Sequence, residues 1–156
     1  MPSKTIKPFT DRQEKIASAL VVKPMSRINT WLYQISGGRI GGTWLRGAPV
    51  LLLTTIGRKS GQPRTVPVLY LRDEDNVVVV ASKGGMNHHP LWYRNLETNP
   101  EVEIAIGTER RRMVARRATE DEKTALWPRL VEMYRDFDDY QARTERNIPV
   151  VILSPL

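Results

Sequence analysis

Residues 49–82 read PVLLLTTIGRKSGQPRTVPVLYLRDEDNVVVVAS, and the fold is decided there. Three apolar, β-branched runs (Val50 to Ile56, Thr65 to Leu71, Val77 to Ser82) alternate with two polar turns. Such runs, bounded by Gly, Pro, Asn and Asp, predict strands joined as hairpins. The last run, VVVVAS, is the most continuous buried-strand signal in the chain. Pro67 lies inside the second run, so that strand should lie at an edge or carry a bulge at that point.

Downstream the pattern continues. Pro90 suits the first position of a helix carrying Leu91, Trp92, Asn95 and Leu96, which Asn99-Pro100 ends. Glu101 to Ile106 alternates as a half-exposed strand does, and Met113 to Arg117 answers it across a charged turn. Thr119-Glu120-Asp121-Glu122 is a capping box opening a helix that Pro128 should kink or split. The polar helical stretch DFDDYQARTER leads to a last strand, Pro149 to Leu153. Without regular strand–helix alternation, a doubly wound sheet is a poor fit. The expectation is α+β and mainly β: a small barrel of about six mostly antiparallel strands with packed helices.

Upstream, residues 1–35 read as a helical segment. Thr10-Asp11-Arg12-Gln13 forms a second capping box before Ile16, Leu20 and Val21. Pro24 breaks the run, and Ser26 caps a short helix with Ile28, Trp31, Leu32 and Ile35. SGGRIGG, residues 36–42, is a flexible connection, not a GxGxxG turn after a strand. The reading is thus an N-terminal helical segment, 1–35, and a barrel domain, 36–156.

The 156 residues suit one core, 40% apolar and 26% charged. No run nears the roughly 18 apolar residues that span a bilayer, and the N-terminus lacks a signal-peptide stretch. The absence of cysteine rules out disulfides, thiolate metal sites and thiol nucleophiles. A cytoplasmic location is expected. Residues 1–72 hold 12 Lys/Arg against 2 Asp/Glu, whereas residues 73–156 hold 12 against 15. A basic half calls for an anionic partner: nucleic acid, an acidic membrane or a polyanionic ligand.

Three features carry chemistry. GRKSGQPR, residues 57–64, packs Arg58, Lys59 and Arg64 beside Ser60 and two glycines, a composition that holds a phosphate or forms a solvated hairpin tip. ASKGGMNHHPLWYRN, residues 81–95, runs from a strand into Ser82-Lys83-Gly84-Gly85 and then a helix bearing Trp92 and Asn95. Paired glycines leave backbone open to a flat ring on which Trp92 would stack; alternatively, Trp92 is core. Trp127, Tyr134, Phe137 and Tyr140 form the third feature, with the last three spaced for one side of a helix. They read as core packing, most of all Phe137, or as the wall of an apolar acceptor pocket. Adjacent His88 and His89 point apart and make a poor metal pair; no metal is expected.

Taken together, PVLLLTTIGRKSGQPRTVPVLYLRD, VVVVASKGGMNHHPLWYRNLETNPEVEI and YQARTERNIPVVIL, with MSRINTWLY at 25–33, closely resemble the deazaflavin-dependent nitroreductases, actinobacterial F420-dependent reductases also described as quinone reductases. The resemblance implies a split β-barrel and the cofactor F420, whose phosphate and polyglutamate tail are anionic. It assigns the phosphate to Arg58, Lys59 and Arg64, with Thr55, Ser60 and Gly61, and the ring to Ser82, Lys83, Gly84, Gly85, Trp92 and Asn95. Hydride would pass to a quinone, enone or nitro acceptor in a pocket of Leu69, Leu91, Tyr134, Phe137 and Tyr140. Ser82, Tyr134 and Tyr140 would polarise the acceptor oxygen, and the proton would come from either tyrosine or from water. Prodrug-activating members carry tyrosines where this chain has Leu69 and Phe137, so nitroimidazole reduction should be weak. The N-terminal segment is expected to be a lid with weak contact to an anionic membrane, making the protein peripheral to its inner face. The rival expectations are an FMN- or haem-binding split barrel and, without redox chemistry, a basic module for nucleic acid or membrane surfaces. Nucleic acid is not the expected partner.

Overall fold

β1 (Val50–Ile56) and β2 (Pro63–Asp73) pair antiparallel from Val50 opposite Leu69 to Ile56 opposite Pro63, which makes residues 57–62 the turn. A computed structural model describes residues 10–13 and 48–156, and within them this hairpin grows into a closed barrel. The further elements are β3 (Asn76–Val80), a 3₁₀ turn (Lys83–Gly85), α1 (Leu91–Thr98), β4 (Glu101–Ile106), β5 (Glu109–Arg117), α2 (Glu120–Met133), α3 (Asp136–Arg143) and β6 (Val150–Pro155). The strands run β1-β2-β3-β6-β5-β4 around the barrel, every pair antiparallel.

Alternation along each strand sorts the side chains. Leu51 and Leu53, Val77 and Val79, Val102 and Ile104, Met113 and Ala115, Val151 and Leu153 belong to one buried cluster. Tyr93 and Leu96 of α1 join it. Burial pushes the Tyr93 phenol above its ordinary range. On the other face, Val78, Val80, Val150 and Ile152 pack under α2 and α3 through Leu126, Leu130, Tyr134 and Phe137. Buried Leu and Met positions of this kind cost about 2–5 kcal/mol when cut to alanine.

Pro67 is accommodated as its chemistry requires. Tyr70 donates its N–H to Pro49, so even-numbered residues of β2 face β1 and odd-numbered ones face away. β3 pairs with β2 only over Tyr70–Asp73, so among the described residues the side of Pro67 turned away from β1 faces no strand, and the N–H it lacks is not missed there. Pro90 lies one position before α1 instead of within it. Pro128 does not split α2, which runs through it to Met133; the break comes at Tyr134, ahead of α3.

Both capping boxes form. Thr119 and Glu122 exchange hydrogen bonds at 3.0 and 3.2 Å, as do Thr10 and Gln13 at 3.1 and 3.2 Å. Glu122 also takes a bidentate pair from Arg116 at 2.7 Å, which with the cap holds its carboxyl down at about 2. Lys123 ties α2 to the approach to β6, donating to Gln141, Asn147 and the Ile148 carbonyl at 2.9, 2.6 and 2.8 Å. The rest of the 1–35 segment and the glycine-rich 36–42 connection lie outside the described residues.

Candidate functional site

The β1–β2 turn closes on itself through Gly57, whose N–H reaches Gln62 O and whose carbonyl accepts from Gly61, both at 2.8 Å. A Cβ on Gly57 would lie 2.6 Å from Ser60 Oγ, and Gly61 has a φ of +69°, so both glycines are required by the turn itself. Ser60 Oγ accepts from the Gln62 N–H at 3.2 Å and from Arg64 at 3.4 Å. Arg58, Lys59, Ser60, Gly61 and Arg64 are all exposed.

Beneath this surface lies one buried amide. Asn95 of α1, 5% exposed, donates to Thr55 Oγ1 at 3.1 Å and accepts from the Arg58 N–H at 3.2 Å. Both ends of the side chain are thereby engaged in fixing the turn to the barrel. Thr55 is fully buried. The two residues support the cation-bearing backbone from below.

At the end of β3 the chain enters the second candidate segment. Lys83, Gly84 and Gly85 have φ values of +45°, +63° and +78°, three left-handed residues in succession. The sequence suggests that the glycine pair keeps backbone open to a ring; this holds only at Gly84, where an added Cβ would meet nothing within 4 Å. At Gly85 a Cβ would lie 2.6 Å from the Tyr140 carbonyl oxygen and 2.9 Å from its Cα, so α3 packs onto that glycine. Trp92 is half-buried against the barrel core, edge-on to Tyr93 at 6.4 Å between ring centroids.

Two arginines missing from the sequence reading hold this segment. Arg143 donates to the Gly84 carbonyl at 2.9 Å. Arg146 donates to the carbonyls of Met86, Ala81 and Ser82 at 3.0, 3.1 and 2.8 Å, and meets His89 Nδ1 at 2.8 Å. A guanidinium only donates, so the imidazole nitrogen accepts and the ring is neutral. Burial, followed by the Arg146 charge, holds the His89 pKa below its ordinary value. Neither arginine carries a pattern that marks it, since RTER after a polar helix reads as solvated charge.

The aromatic wall forms on and beside α3. Tyr134, Phe137 and Tyr140 have ring centroids 5.2 to 6.3 Å apart, and the two tyrosine hydroxyls lie 3.1 Å from each other. Burial and the Tyr140 hydrogen bond push the Tyr134 phenol far above its ordinary value, so it keeps its proton at neutral pH. Leu69 packs against the same cluster. Leu91 stands 59% exposed on α1, outside it. Tyr140 rests on Gly85, so the wall packs against the Ser82–Gly85 segment, while α1 runs from that loop to the basic turn through Asn95.

A surface recess of about 310 Å³ between β1 and β4 is lined by Glu101, Glu103, Arg112 and Thr54 among others. It contains none of these site residues, and its two carboxylates suit an anionic ligand poorly.

Comparison with known proteins fits this arrangement. Residues 25–155 match the F420H(2)-dependent quinone reductase family. A Mycobacterium tuberculosis protein named "Putative F420H(2)-dependent quinone reductase" is 49% identical over 117 residues, spanning 75% of this chain and 98% of its own. A second from that species, an F420H(2)-dependent quinone reductase, is 40% identical over 131 residues, covering 82% and 88%. Among solved structures, an F420-H2 dependent reductase superposes with a TM-score of 0.63 at 38% identity, covering 68% of this chain and 94% of that one.

Proposed function

The chain belongs to the F420H(2)-dependent quinone reductase family, and on that premise we propose that this oxidoreductase uses reduced F420 to reduce a quinone, enone or similar small electrophile. The observation that carries the reading is the Asn95 bridge, which ties the Arg58 backbone to Thr55 beneath a glycine turn that presents three exposed cations. That donor set matches a phosphate and an acidic tail: charge-assisted, exposed, and placed on backbone that cannot collapse.

F420 when bound supplies the hydride; the chain supplies binding, orientation and electrostatics. Arg58, Lys59 and Arg64 take the phosphate, with Ser60 and Gly61 shaping the turn and Thr55 and Asn95 bracing it. Ser82, Lys83 and Gly84 would offer their backbone to the ring, and Trp92 would add a flat aromatic surface to the same site. Leu69 and Phe137 give the acceptor an apolar wall. Tyr140, half-buried, donates toward the acceptor oxygen as charge builds there, and Tyr134 backs its hydroxyl. Tyr134, whose phenol is pushed far above its ordinary value by burial and the Tyr140 hydrogen bond, remains a hydrogen-bond donor.

Leu69 and Phe137 bring no hydroxyl to the wall, so a nitro group finds fewer donors here than in a site with tyrosines at those positions. Steady-state assays with menadione and a bicyclic nitroimidazole test this. Quinone turnover should exceed nitro turnover at least tenfold; equal rates contradict the acceptor assignment. For the cofactor, tryptophan fluorescence during titration with F420 and with FMN is decisive, because the ring would bind beside Trp92. Binding of F420 at micromolar concentration or tighter, without FMN binding, is expected. Binding of FMN alone would keep the barrel and overturn the cofactor.

A further inference from the structure

We propose that Arg146, assisted by Arg143, is the positioning residue that sets the shape of the cofactor loop and locks it to the acceptor wall. The proposal rests on the reading of Ser82–Gly85 as the ring-binding segment.

The loop is held in an unusual backbone conformation. Its three left-handed residues include Lys83, an L side chain at a φ of +45°. Such a conformation persists only where the surroundings over-determine it. Within the turn, the backbone bonds are Gly85 N–H to Ser82 O at 2.9 Å and Met86 N–H to Lys83 O at 3.2 Å. Restraints also come from residues about 60 positions further along the chain.

Arg146 gathers carbonyls from both sides of the turn. Ala81 and Ser82 precede it and Met86 follows it, at 3.1, 2.8 and 3.0 Å. One rigid planar fork thus fixes entry and exit together, which a lysine with its single ammonium centre cannot reproduce. Arg143 takes the Gly84 carbonyl at the apex, at 2.9 Å. His89 braces the clamp by accepting from Arg146 at 2.8 Å, and its ring packs on Tyr93 at 4.8 Å.

The clamp also reaches the other half of the site. Arg143 is the last residue of α3, and its guanidinium lies 5.8 Å over the Tyr140 ring. Tyr140 in turn carries the backbone against which Gly85 is packed. Loop and wall are therefore joined twice, so the clamp sets the separation between hydride donor and acceptor as well as the loop's conformation. Small errors in that separation cost rate steeply.

The test pairs Arg146→Ala with Arg146→Lys. Amide hydrogen exchange on the cofactor-free protein should show residues 83–87 exchanging at least tenfold faster in Arg146→Ala, with residues 57–62 unchanged. Arg146→Lys, which keeps charge and fold, should lower quinone kcat about tenfold or more while changing F420 affinity by less than about threefold. Millimolar guanidinium should restore part of kcat in Arg146→Ala and none in Asn95→Leu. Loop exchange at the wild-type rate in Arg146→Ala, or an Arg146→Lys enzyme with wild-type kcat, would overturn the proposal. So would exchange rising equally across the whole barrel. A loosened loop in a chain whose wild type binds no F420 would uphold the clamp and overturn the cofactor reading instead.

Discussion

On the proposed function the basic turn and the Ser82–Gly85 loop serve one ligand, yet they are built in opposite ways. The turn is supported locally: its own strands, two glycines and one buried amide from a neighbouring helix fix it. The loop is supported from a distance, by arginines close to the last strand and by the backbone of α3. On that reading the difference lies in what each would hold. An exposed phosphate needs charge on a firm turn, whereas a ring must be held at a fixed distance from a second molecule. The loop's support therefore comes from the elements that line the acceptor side.

The largest effect should come from reversing charge on the turn. Arg58→Glu combined with Lys59→Glu removes two charge-assisted contacts of about 1.5–3 kcal/mol each and adds repulsion. F420 affinity in a fluorescence titration should fall at least a hundredfold, with the melting temperature little changed. A loss below tenfold would remove the phosphate from this turn.

Next comes the support beneath it. Asn95→Leu strands the Thr55 hydroxyl and the Arg58 N–H, each at about 1–3 kcal/mol. A lower melting temperature and about tenfold weaker F420 binding should appear together. Unchanged binding in a destabilised protein would show that the turn needs no support from α1.

The glycines sharpen the comparison within the loop. Gly85→Ala drives a Cβ into the Tyr140 backbone and should destabilise by several kcal/mol in thermal or urea unfolding. Gly84→Ala meets open space and should cost only the left-handed penalty of about 1–2 kcal/mol. Equal costs would mean that α3 does not press on the loop.

The smallest effect is in pH. His89 has a lowered pKa in the folded state, so the unfolded chain takes up a proton first as pH falls. The stability this neutral imidazole contributes is complete above about pH 6.5 and is lost as pH falls from there through its folded value. His89→Gln, which retains an acceptor and does not titrate, should flatten that segment of the stability–pH curve. An identical slope in both proteins would remove His89 from the clamp.

This asymmetry also explains what could be read from the sequence. Strands with β-branched runs, the capping boxes at Thr10 and Thr119, and the GRKSGQPR turn are local patterns whose physics is complete within a few residues. The bond of Asn95 to a turn 37 residues earlier has no local signature, though α1 itself does. Arg146 is less legible still, because an arginine that gathers carbonyls is indistinguishable in sequence from one that faces water. Gly85 shows the same limit. It reads as a ligand-facing glycine, and its close neighbour is α3. Pro128 does not split α2, which runs through it to Met133 and is held by packing on the barrel and by Lys123.

The most direct test of the two-grip account is a titration of the wild-type, Arg58→Glu/Lys59→Glu and Arg146→Ala chains with F420 and with its deazaflavin head lacking phosphate and tail. Wild type should prefer F420 at least a hundredfold, the turn variant should lose that preference, and Arg146→Ala should keep it while binding both ligands more weakly. A turn variant that still prefers F420 as strongly as wild type would contradict the account.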